Sequence, residues 1–105
     1  MKLKPFVHGQ TGQLLGYNHW CPGCNSPHGI YTAQHNSSRP IWQFDGNMES
    51  PTFAPSIRCS TRENGVVKVL CHYFIKGGNI EYCSDSPHEF SGQIVPLPEW
   101  PTNWD

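Results

Sequence analysis

Residues Val66–Ser84 read VVKVLCHYFIKGGNIEYCS, two apolar runs joined by Lys76-Gly77-Gly78-Asn79. A Gly pair between such runs accepts the positive φ values of a two-residue hairpin turn. With Gly77 and Gly78 in that turn, Ile75 faces Ile80, Tyr73 faces Tyr82, His72 faces Cys83, Cys71 faces Ser84 and Leu70 faces Asp85. Side chains alternate along a strand, so Cys71 shares a face with Val67, Val69, Tyr73 and Ile75, while His72 lies opposite with Leu70 and Phe74. A thiol and an imidazole adjacent in sequence therefore point apart, unless a bulge re-aims them.

The same β pattern extends outward from this hairpin. No window carries helical periodicity, and short apolar runs are broken every eight to twelve residues by Gly, Pro, Asn or Ser. Predicted strands are Leu14–Tyr17, Gly29–Gln34, Ile41–Phe44, Thr52–Ile57, Val66–Ile75, Ile80–Cys83 and Gln93–Leu97. Turn sequences between them include Asp45-Gly46-Asn47 and Glu63-Asn64-Gly65. The tail PLPEWPTNWD, with three prolines, is expected to run extended over the surface with its tryptophans on apolar patches. The fold class is thus all-β: one small antiparallel sheet or sandwich with long loops, spanning residues 1–105.

Composition bounds what such a domain can do. The chain has 105 residues, 14% of them charged, with 10 glycines, 10 prolines and a net charge of -1, so a staple would help a core this modest. The near-neutral balance disfavours nucleic acid or an anionic membrane as partner, and no apolar stretch is long enough to span a bilayer. The start, MKLKPFVHGQ, has no secretory pattern. Five cysteines, an odd number, fit metal ligation by reduced thiols in the cytoplasm better than a disulfide framework.

Trp20–His28, WCPGCNSPH, supplies the metal candidate. Cys21-Pro22-Gly23-Cys24 is a tight knuckle that turns two sulfurs to one side, as tetrahedral zinc requires. Cys71 is the expected third ligand and His28 the simplest fourth, with His72, Cys83 and His88 as alternatives. A redox role for Cys21 and Cys24 would need a helix to follow in a βαβ setting, and none is predicted. Cys59 reads as an incidental thiol, and His8, His19 and His35 as solvated or packing histidines.

A second constellation concerns catalysis. Ser56 lies in Pro51-Thr52-Phe53-Ala54-Pro55-Ser56, a stiff backbone that fixes a hydroxyl's direction. Asp85 is a diagonal neighbour of His72 in the hairpin register. Ser56, His72 and Asp85 can therefore follow the logic of nucleophile, base and orienting carboxylate, with His88 as a further working residue. Alternatively, His72 and His88, with Asp85, hold a zinc with an open position for water. Thr52 and Ser56 could equally serve only strand or turn hydrogen bonds, and Asp85-Ser86-Pro87 is a turn sequence in its own right.

WCPGC, W-x-F-D-G-N at Trp42–Asn47, PTFAPSI, CHYFIKGGNIEY, DSPHEFSGQIV and the closing LPEW together resemble a small domain family of tailed phages, prophages and bacteria, sometimes mislabelled ammonia monooxygenase. The resemblance covers Tyr17 to Trp100. It implies a phage or mobile-element protein of the bacterial cytoplasm. Relatives beside ubiquitin-like conjugation genes imply a peptidase. The family pattern falls on Cys21, Cys24, Pro51, Thr52, Pro55, Ser56, Cys71, His72, Asp85, His88, Gly92 and Gln93. Ala54 stands where relatives commonly have serine, which leaves Ser56 as the nucleophile; Cys59 and Cys83 lie outside the pattern. Two functions are thus expected. One is a zinc-containing hydrolase acting on a protein or peptide. The other is a non-catalytic zinc module that binds a host or phage protein through Tyr31, Trp42, Phe44 and Trp100.

Overall fold

A computed structural model describes residues 1–33 and 40–101. Eight strands form in chain order: β1 Lys4–Val7, β2 Leu14–Cys21, β3 Ser26–Tyr31, β4 Gln43–Phe44, β5 Phe53–Glu63, β6 Val66–Lys76, β7 Asn79–Tyr82 and β8 Ile94–Pro96. They make two antiparallel sheets, one of order β1-β2-β3 and one of order β4-β5-β6-β7-β8. Among the described residues there is no helix, and hence none long and apolar enough to cross a membrane. The all-β expectation holds.

The β6–β7 hairpin has the register its sequence dictates: Ile75 opposite Ile80 and Tyr73 opposite Tyr82, with Gly77 and Gly78 at φ 54° and 83° in the turn. Cys71, Tyr73 and Ile75 are buried on one face, and His72 and Phe74 are half-buried on the other. The inward face joins Leu3, Ile30, Phe53, Ile57, Ile80, Tyr82 and Leu97 in the core between the sheets, with Cys21 and Cys71 among them. Removing these apolar side chains from water is the main stabilising term for a domain with so little secondary structure besides strand.

Three differences from the sequence expectation have physical causes. β1 was not predicted; it is a four-residue edge strand, and the edge is where Pro5 can sit without costing a ladder hydrogen bond. β5 runs past Ile57 to Glu63 because Asn64 and Gly65, at φ 52° and 80°, turn the polar segment Arg58–Glu63 back onto β6 as a two-stranded ribbon. β5 also bulges: Phe53 pairs with Ile75 and Ile57 with Tyr73, so Ala54, Pro55 and Ser56 face a single β6 residue. Within that surplus the peptide between Ala54 and Pro55 is cis, and Ser56, beside buried Ile57, lies on the outer face with His72. In the tail, Trp100 is buried and its N–H reaches Met1 O at 2.7 Å. Gln34, His35 and Trp104 lie outside the described residues.

Candidate functional site

The two faces of β6 carry two different clusters. On the inner face, Cys21 ends β2, the Pro22-Gly23 turn leads to Cys24, and Cys71 comes across from β6. The Cys21 and Cys71 sulfurs are 3.9 Å apart, and Cys71 Sγ is 3.3 Å from His88 Nε2. The ligand atoms of Cys24, Cys71 and His88 all lie within 4.8 Å of one another, as do those of Cys21, Cys24 and His28. A tetrahedral zinc with its usual bond lengths has S···S edges of about 3.8 Å and S···N edges of about 3.6 Å. The two measured edges are close to those values, and these Cys and His groups could hold a metal ion.

The knuckle's glycine has a specific role. A Cβ at Gly23 would sit 2.4 Å from His88 Cε1 and 2.5 Å from Nε2, so the imidazole lies directly on the backbone where a side chain would be. The Phe90 N–H, 3.2 Å from His88 Nδ1, holds the ring from its other edge. Loading an ion on Nε2 would shift the ring proton to Nδ1 and give up that contact.

The thiols are electrostatically uneven. Cys71 donates to the Cys21 sulfur, which holds the Cys21 thiol down to about 5, and the same bond pushes Cys71 well up. Burial, with the Cys21 charge beside it, raises Cys24 to about 11. A cation bound among these thiols would displace their protons.

His28 lies within 4.8 Å of the Cys21 and Cys24 sulfurs. Its Nδ1 is 2.9 Å from Tyr73 Oη and 3.6 Å from Cys59 Sγ. Tyr73 Oη is in turn 2.6 Å from Nε2 of His19, which is fully buried. Because His19 Nδ1 faces the Trp20 carbonyl, it must donate there, so Nε2 accepts the Tyr73 hydroxyl and Tyr73 accepts from His28. Burial and the neighbouring His28 hold His19 neutral, its pKa lowered to about 3. An open groove of about 530 Å³ borders this side, lined by Cys24, His28, Cys59, Leu70 and His88 among others.

On the outer face of β6, three predicted residues form one line. Ser56 Oγ is 3.1 Å from His72 Nε2, and His72 Nδ1 is 3.1 Å from each Asp85 oxygen. A carboxylate only accepts, so Nδ1 carries the proton, Nε2 is the acceptor, and Ser56 donates to it. The His72 side chain is 26% exposed and that of Asp85 55%, which leaves the line open to a large substrate. A smaller concavity of about 200 Å³ lies beside Ala54, lined also by Gln43, Phe44, Asp45 and Thr52. His88 does not join this line; it stands against Cys71 instead.

One participant was missed in the sequence. The β6–β7 ladder ends at Tyr73 and Tyr82. Beyond it Cys83 N–H still reaches His72 O at 2.8 Å, but the His72 N–H turns to Ser86 Oγ at 3.0 Å. The Ser86 hydroxyl donates to His72 O at 2.8 Å. Ser86, only 4% exposed, thus replaces a strand carbonyl and ties the Asp85 loop to the backbone of His72. A buried serine within a turn sequence gives no signal that separates it from an ordinary turn residue.

The aromatic residues named for a binding surface are engaged internally. Trp42 Nε1 donates to Ser56 O at 3.1 Å, Phe44 stacks on Phe53 and meets Tyr17, Tyr31 packs edge-on against Phe6, and Trp100 is buried.

Residues 3–83 match a protein-family model described as "Bacterial ubiquitination-like system serine protease (BubE)". The matched span includes Cys21, Cys24, Ser56, Cys71 and His72, and ends before Asp85 and His88. No curated protein and no solved structure gives a match.

Proposed function

We propose that this chain, which belongs to the family of bacterial ubiquitination-like system serine proteases (BubE), cleaves a peptide or isopeptide bond in a protein of such a system, with Ser56 as nucleophile, His72 as general base and Asp85 as orienting carboxylate. The observation that carries the reading is the unbroken line from Ser56 Oγ through both His72 nitrogens to Asp85. Ser56 attacks the scissile carbonyl and passes its proton to Nε2. The imidazolium so formed is stabilised by Asp85, and Nε2 then returns the proton to the departing amine. The exposure of Asp85 and the half-exposure of His72 suit a protein substrate laid across the surface. The bacterial cytoplasm is the compartment we assign, in keeping with five free cysteines.

We assign the inner cluster to a structural zinc held by Cys21, Cys24, Cys71 and His88. When bound, the ion supplies a covalent-like cross-link among β2, β6 and the loop after β7. Support comes from the Cys21–Cys71 and Cys71–His88 separations, close to those around zinc, and from the close seat of His88 on Gly23. His28, also near Cys21 and Cys24, orients the Tyr73 hydroxyl through Nδ1, and with its Nε2 left as an acceptor it is the alternative fourth donor. The staple also serves the outer face, because Cys71 precedes His72 and His88 lies three residues beyond Asp85.

The test is labelling with a fluorophosphonate, which reacts only with an activated serine. Wild type should be labelled at Ser56, Ser56→Ala not at all, and His72→Ala slower by about a thousandfold or more. Labelling that persists in Ser56→Ala, or an inert but zinc-loaded and folded wild type, would overturn the assignment.

A further inference from the structure

Cys83 extends the outer cluster in a direction the triad does not need. Its sulfur, a ring nitrogen of His72 and a carboxylate oxygen of Asp85 all lie within 4.8 Å of one another. Cys83 and His72 are half-buried and Asp85 is exposed, so a solvated ion can reach all three. Among the described residues no hydrogen bond engages the Cys83 sulfur. Its backbone is fixed, since Cys83 N–H reaches His72 O at 2.8 Å, and the thiol is therefore held beside the imidazole.

We propose that His72, Cys83 and Asp85 form a second transition-metal site, of the Zn²⁺ class, whose occupation switches the serine protease off. The mixed nitrogen, sulfur and oxygen donors select a borderline ion such as Zn²⁺ over Mg²⁺ or Ca²⁺, which prefer oxygen alone. Ligand edges around zinc are shorter than 4.8 Å by about 1 Å, a closure that rotation of the exposed Asp85 and of the Cys83 side chain can supply. With three ligands, one of them exposed, the site fills after the four-ligand inner cluster. On binding, the Cys83 thiol gives its proton to solvent.

The inhibition follows from proton placement and rests on His72 being the base. If the ion binds Nδ1, the single proton of the neutral ring must sit on Nε2, which then donates and cannot accept from Ser56. If the ion binds Nε2, it occupies the lone pair directly. In both arrangements the Ser56 hydroxyl loses its acceptor, and Asp85 neutralises the ion instead of orienting the ring.

The experiment titrates Zn²⁺ alone into protein whose inner cluster is already filled, reading heat of binding and the fluorophosphonate labelling rate at each free zinc concentration. Wild type should bind one further equivalent and lose at least about tenfold in labelling rate, with Mg²⁺ inert. Cys83→Ser should keep the zinc-poor rate within about twofold, yet need roughly ten- to a hundredfold more zinc for both effects. His72→Ala should lose the further equivalent altogether, which tests the site where labelling cannot. Absence of that equivalent in wild type, or superimposable Cys83→Ser and wild-type titrations, would overturn the proposal. If zinc-poor wild type is not labelled at Ser56, the protease reading fails instead, while the binding heats still decide the metal site.

Discussion

Replacing Ser86 with alanine is the most informative single perturbation of this molecule. The Ser86 hydroxyl accepts from the His72 N–H and donates to the His72 carbonyl, and both bonds vanish in Ser86→Ala. The carbonyl keeps Cys83 N–H as a partner, so its loss costs about 0.5–1.5 kcal/mol, whereas the N–H is left with no replacement in a half-buried place, at about 1–3 kcal/mol. The sum, roughly 1.5–4.5 kcal/mol, should appear as a lower urea midpoint with an unchanged slope. The second effect is on chemistry. With the loop untied, Asp85 spends less time against Nδ1, and the loss is bounded by that of removing the carboxylate outright, about 10⁴-fold in a Ser-His-Asp enzyme. A decrease of about ten- to a hundredfold in the second-order rate of fluorophosphonate labelling is expected, with zinc content unchanged. Ser86→Thr, which keeps the hydroxyl, should recover most of both losses. A labelling rate within about twofold of wild type, accompanied by the full loss of stability, would refute the coupling between this loop tie and the triad.

Other substitutions probe the remaining links. Asp85→Asn should slow labelling by about 10²–10⁴-fold with little change in stability, the lower figure reflecting solvent at this exposed carboxylate; a change under threefold in the measured rate would remove Asp85 from the mechanism. Gly23→Ala places a methyl about where the His88 ring sits, so zinc affinity measured by chelator competition should fall by about tenfold or more while the domain stays folded. Tyr73→Phe deprives the buried His19 Nε2 of its donor and should cost about 1–3 kcal/mol in denaturant unfolding, with labelling at Ser56 retained because Tyr73 lies on the opposite face of β6.

Much of this geometry is legible from local rules, and the rest is not for definable reasons. The Gly77-Gly78 turn sets the hairpin register, and register plus alternation sends Cys71 and His72 to opposite faces, a consequence of a period of two. The expected pairing of Leu70 with Asp85 does not form, because the ladder ends at Tyr73 and Tyr82; Asp85 meets the imidazole from a loop held by Ser86. The position of Ser56 relative to His72 depends on the β5 bulge, and no feature of PTFAPSI announces that three residues will face one. His28, close behind Cys24, is the candidate that spacing favours, whereas His88 lies far off in the chain; its seat against Cys71 arises from how the loop after β7 folds back over Gly23, a long-range event. The polar run Arg58–Glu63 resembles a loop because its strand character comes from pairing with β6. β1 is too short, and too interrupted by Pro5, to stand out.

The adjacency of Cys71 and His72 on one strand has a consequence for how this sequence can vary. A deletion or insertion of one residue between His72 and Lys76 would exchange the tenants of the two faces, presenting an imidazole to the sulfurs and a thiol to the hydroxyl. Both sites would fail at once. Length changes in this ribbon should therefore be tolerated only in pairs, or beyond Val69 toward the exposed tip, where Val66 and Val67 face solvent and nothing depends on parity.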